Sequence, residues 1–140
     1  MTRARWLLLA AIVAYALGWA LPVMDDYRGV HAFRVALSPL WPYEKFKIPP
    51  GSLVYLSVGS ALTNVVFAIV AIAALSGAAR TRSRQLVAVW IVGAATVLNL
   101  HWPISMGDSA AGLRVGYYAW IASFVLLLLA VHPAIARRQG

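Results

Sequence analysis

The sequence predicts an all-α membrane protein: a four-transmembrane-helix bundle whose long first extracytoplasmic loop contains a short interfacial helix. Three observations lead there. Of 140 residues, 62% are hydrophobic and 11% charged, against roughly 45–50% and 25% in an average soluble domain. The apolar residues gather in four long blocks separated by polar or proline-rich interruptions, the pattern of a polytopic helical protein. The basic residues are divided unequally among the segments between those blocks. A chain of this length has room for one integral membrane domain, 1–140.

The first block, 6–24, is "WLLLAAIVAYALGWALPVM", about long enough to cross a ~30 Å hydrocarbon core at 1.5 Å per residue. The others run over about 53–75, 86–102 and 115–131. Arg3 and Arg5 before the first block give it some likeness to a signal peptide, but its apolar run outlasts a usual signal core, so it is expected to remain as a helix. The spans leave an inner turn at about 76–85 and outer loops at about 25–52 and 103–114. Arg3, Arg5, Arg80, Arg82, Arg84, Arg137 and Arg138 then share one side with no acid. The other side holds all four acids, Asp25, Asp26, Glu44 and Asp108, with Arg28, Arg34, Lys45, Lys47 and Arg114. The positive-inside rule makes the arginine side cytoplasmic, with both termini there and the protein multi-pass in a bacterial plasma (inner) membrane. The net charge of +8 is thus mostly topology, and nucleic acid is not an expected partner.

Within the first outer loop, Val30, Phe33, Leu37 and Leu40 recur at helical spacing while His31, Arg34 and Ser38 take another face, which predicts a short helix ended by Pro39. "SPLWPYEKFKIPPGS" follows, with four prolines, as an extended turning segment. The paired Asp25 and Asp26, half of all the acid in the chain, are expected to precede that helix, favouring its positive end and pairing with Arg28 or Arg34. Trp19, Trp41, Tyr43, Tyr55, Trp102, Tyr117, Tyr118 and Trp120 form an outer interfacial belt, with Trp6 and Trp90 at the inner boundary. The loop order resembles that of claudin-type four-helix proteins in architecture only. Their glycine-leucine-tryptophan motif and paired loop cysteines have no counterpart here, and no residue is carried over.

The chain has no cysteine, which excludes disulfides, cysteine-based zinc or iron–sulfur sites and thiol chemistry. No nucleotide-binding loop, zinc-protease motif or serine nucleophile signature is present, and no cofactor or metal is expected. Two sets of residues are singled out. Asp25, Asp26, Arg28, His31, Arg34, Glu44, Asp108 and Arg114 form a candidate outer-face cluster. Asn64, Asn99 and His101 are polar groups in or near the membrane, and each amide needs a partner away from lipid. Ser60, Thr63, Thr96, Ser123 or the other asparagine are the available choices. The expected function is a small non-catalytic accessory subunit, assembly factor or immunity-type protein whose outer cap binds a membrane or extracytoplasmic protein. The alternative is a lipid- or small-molecule-handling enzyme or transporter with its site under the outer loops.

Overall fold

The computed structural model describes residues 2–25, 27–43, 51–79 and 81–136. The protein is mostly helical. Helix α1, Arg3–Ala20, opens on Thr2, whose hydroxyl oxygen accepts the Arg5 N–H at 3.4 Å. It stops earlier than its apolar block because Pro22 disfavours helical geometry at Leu21, which turns extended. Pro22–Met24 instead becomes a short strand, β1, paired antiparallel with β2, Tyr27–Arg28. Helix α2 is Gly29–Ala36, α3 Ser52–Leu75 and α4 Arg82–Asn99. Residues 103–114, expected as a loop, are structured: α5 covers His101–Met106 and a 3-10 helix covers Gly107–Gly112. Helices α6, Val115–Val131, and α7, Pro133–Ala136, end the described chain.

Three stretches are long and apolar enough to cross a membrane: Arg3–Ala20, Leu53–Leu75 and the run Arg82–Met106, which joins α4 to α5. Helix α6 is apolar but shorter, 17 residues. It is also the central element, packing along α1 on one side and α4 on another, while α3 pairs chiefly with α4. The apolar core follows from that arrangement. Phe124 and Leu127 of α6, Val92 of α4 and Ala11 of α1 are fully buried, and Phe67 of α3 meets Phe124 edge-on at 5.3 Å. Large apolar side chains such as Val13, Ile69, Ile72 and Val97 cover the outward faces.

The ends of α1 and α3–α6 nearest residues 20, 52, 106 and 115 carry a stitched cap. The Asp25 N–H donates to the Gly112 carbonyl at 3.1 Å, the Arg114 N–H donates to the Val23 carbonyl at 2.9 Å, and Met24 bridges to Leu113. Helix α2 sits on the last turn of α1 through glycine on both sides. A Cβ on Gly29 would collide with the carbonyl oxygen of Gly18, and one on Gly18 would stand 2.8 Å from the Cβ of Trp120. The closeness of α2 to α1 therefore depends on the missing methyl of Gly29, and that of α6 to α1 on the missing methyl of Gly18. Gly29→Ala is expected to push α2 off α1 and destabilise the protein by about 1–3 kcal/mol, as overpacking does. A lowered thermal midpoint in detergent, with faster proteolysis of the segment around α2, checks this.

Candidate functional site

Beneath the cap lies a cavity of ≈ 330 Å³, within the roughly 300–1,000 Å³ usual for small-molecule sites. Its floor is built midway along the helices. The ring of Tyr15 stacks on Phe67 at 4.1 Å and 6°, and its hydroxyl donates to Asn64 Oδ1 at 3.0 Å, so α1 and α3 are closed together at that level. Toward the cap the two helices separate. Helix α2 spans the gap as a roof through Ala32, Phe33, Val35 and Ala36, and Trp102, Tyr117 and Trp120 form the wall behind. Among the described residues, no Asp, Glu, Lys, Arg or His lines the space.

Two asparagines organise the polar groups around it. Asn64 Oδ1 accepts from Tyr15 and from the Trp120 indole N–H, both at 3.0 Å, and its Nδ2 donates to the Ala61 carbonyl at 2.9 Å. An indole nitrogen only donates, so this contact fixes which way the amide faces. Asn99 is fully buried. Its Oδ1 accepts from the Ser60 hydroxyl at 2.9 Å, and its Nδ2 donates to Thr63 Oγ1 at 3.0 Å. The Tyr117 hydroxyl donates to the Asn99 carbonyl at 3.1 Å, and the Trp102 indole N–H donates to Ser60 Oγ at 2.9 Å. Asn99 thus takes Ser60 and Thr63 as partners, whereas Asn64 pairs with neither the other asparagine nor any of the four hydroxyl residues expected. Thr96 and Ser123 bond instead to carbonyls of their own helices.

Among the described residues of the candidate outer-face cluster, Asp25 and Arg114 alone form an ion pair, at 4.0 Å, with both side chains more than half exposed. Asp25 does not cap α2. It occupies a tight turn at φ 47° after β1, and Arg28 holds the cap position without a side-chain bond. Arg34 turns away from the acids: its Cζ sits 3.6 Å from the ring centre of Trp41 and 5.0 Å from that of Tyr43. Its buried Nη1 has no hydrogen-bond acceptor, and the ring faces attract the cation in its place. His31 meets Tyr27 edge-on at 6.4 Å, and Asp108 begins the 3-10 helix. Asp26 and Glu44 lie outside the described residues. His101 stands at the α4–α5 junction, where Nδ1 donates to the Leu98 carbonyl. Among the described residues, no three His, Asp or Glu converge as a metal site.

The sequence reading missed the cavity walls. It assigned Trp19, Trp102, Tyr117 and Trp120 to an interfacial belt, yet all four face the cavity, and three of them send their polar groups to Asn64, Ser60 and the Asn99 carbonyl. The expected apolar face of α2 is likewise shifted. Phe33 points inward as expected, but Val30 and Leu40 are exposed, and the small Ala32 and Ala36 supply the inner face.

No family model, curated protein or solved structure matches the chain.

The two polar systems differ sharply in energetic weight. Asn99→Leu leaves the buried Ser60 hydroxyl without its acceptor, while Thr63 keeps its bond to the Ser60 carbonyl, and is expected to cost about 1–3 kcal/mol. Asp25→Asn alters an exposed pair and is expected to stay within about 0.5 kcal/mol. Unfolding midpoints of the two purified variants, measured side by side in one detergent, check the contrast.

Proposed function

We propose that this chain is a four-span protein of the plasma (inner) membrane, with both termini cytoplasmic, that holds a lipid-like molecule in the cavity beneath its extracytoplasmic cap. The cavity carries this reading. A space of ≈ 330 Å³ would take several waters, but waters need two or more polar partners each. The polar atoms nearby are largely committed to one another, so an apolar guest fits this wall better than solvent. Catalysis has little support among the described residues, where the titratable groups singled out do not converge and none lines the space.

The spanning arrangement rests on charge and length together. Helix α6 is about 26 Å long at 1.5 Å per residue. That falls slightly short of the hydrocarbon core, but Arg114 before it can snorkel outward. Its position between α1 and α4 also shields much of it from lipid. Exposed Trp6 and Trp90 toward one end, and exposed Trp41, Tyr55 and Tyr118 toward the other, suit two interfaces. The same exposed rings at the capped end favour a second reading, in which the cap docks a membrane or extracytoplasmic protein.

Since the native chain has no cysteine, single cysteines report topology cleanly. Ala111→Cys is expected to react with an impermeant maleimide on intact cells, and Ser83→Cys only after permeabilisation; the opposite pattern would reverse the orientation. For the cavity, native mass spectrometry of the wild-type protein from mild detergent is expected to show one bound amphiphile per chain. Ala32→Trp, which fills the space from the roof, is expected to lose it while keeping its fold. An empty wild-type protein would rule out the lipid-holding role.

A further inference from the structure

The hydrogen-bond inventory around the cavity identifies the kind of guest it takes, given that it holds one. Each polar group in the wall can be checked against its capacity. The Trp120 and Trp102 indole N–H groups are used on Asn64 and Ser60, and the Tyr117 hydroxyl on the Asn99 carbonyl. The Ser60 hydroxyl donates to Asn99 and accepts from Trp102. Asn64 is different. Its oxygen accepts two bonds, which fill both lone pairs, but its amide nitrogen carries two hydrogens and makes one bond, to the Ala61 carbonyl. The amide cannot flip to hide the remaining hydrogen, because its oxygen is held by the donor-only indole. Asn64 is only partly buried, and it lines the cavity at the Tyr15–Phe67 floor.

The deep end of an otherwise apolar, uncharged chamber therefore presents a spare N–H donor. An anionic group would find no basic residue among the described residues that line the chamber, and Arg34 is engaged by Trp41 and Tyr43 while Arg114 stands by Asp25; burying such a charge unpaired is costly. A cation would meet a donor of its own sign. A pure hydrocarbon would leave the N–H unsatisfied. We infer that the cavity binds a neutral amphiphile that enters with a carbonyl-type oxygen leading, received by Asn64 Nδ2, with its apolar body among Trp19, Phe33, Trp102 and Trp120.

The inference rests on the cavity reading, and one experiment separates the two. The full-length protein in mild detergent is titrated with octanophenone and with octylbenzene, which differ only in a carbonyl replacing a methylene. Binding is read as quenching of tryptophan fluorescence. Wild type is expected to bind the ketone about fivefold more tightly, the effect of one net hydrogen bond, and the carbonyl stretch of bound octanophenone is expected at lower wavenumber than in detergent alone. Asn64→Leu is expected to abolish the preference. Because Asn64 also ties helices together, the wild-type comparison decides the case if that variant misfolds. Equal binding of the two probes by wild type overturns the acceptor assignment and leaves the cavity as a binding site, with at most a water on Asn64. Binding of neither probe, with Ala32→Trp indistinguishable from wild type, overturns both.

Discussion

The architecture depends on one requirement, that the amide oxygen of Asn64 be satisfied between helices. An unpaired amide in a dry interface costs several times the net gain of a paired one. Asn64 meets this by drawing donors from two other helices, Tyr15 on α1 and Trp120 on α6. Three helices are thereby fixed at a single level, and the Tyr15–Phe67 stack reinforces that level. Where the contact ends, α1 and α3 have no comparable tie. Their separation toward the cap, and the cavity that results, follow from the junction being at mid-length rather than at the ends.

Asn99 solves the same problem differently, and the difference determines what the cavity wall offers. Its partners Ser60 and Thr63 lie one turn apart on α3, so its bonds fasten α4 to α3 directly. The tyrosine and tryptophan that reach it or Ser60 come from α6 and α5 and turn their rings toward the cavity in doing so. Polar tips are consumed behind the wall and apolar ring surface is left in front. The neutrality of the chamber is thus a by-product of helix pairing, and the unused hydrogen of Asn64 Nδ2 and the unpartnered Trp19 indole N–H stand out against it.

Much of the fold could be read from the chain. The apolar blocks and the turn near Gly77 follow from composition and period, and Ser60 and Thr63 were among the partners available to Asn99. The Asn64 junction was hidden because its donors lie 49 and 56 residues away in sequence, and nothing local says that α6 packs between α1 and α4. The aromatic belt was a sound expectation for any single ring, but spacing held more information. Tyr15 with Trp19, and Tyr117 with Trp120 and Phe124, each share a helix face, as do Ser57, Ser60, Ala61 and Asn64 on α3. Rings on two helices facing a polar stripe on a third mark an interior. The inner face of α2 escaped notice because alanine and glycine, which permit its close seating, count little in a search for large apolar residues. The paired acids were read as helix caps, whereas Asp25 serves through its backbone, in a turn that lets its N–H reach Gly112.

That backbone role bears on how the chamber is closed. The roof helix α2 is seated on α1 at Gly29 and Gly18, where the two chains touch without side chains between them. The strand that leads to it is stitched to the segment before α6 by the bonds of Asp25 and Arg114. Lifting the roof would break those bonds and the seat together, and exposed Asp25–Arg114 electrostatics contribute little to holding it. The side between α1 and α3 is built otherwise. There the helices meet at the Tyr15, Asn64 and Phe67 junction, and nearer the cap α2 lies against both of them. The roof is therefore held by both flanking helices, and opening the chamber from the capped end means breaking the glycine seat and the backbone stitches at once.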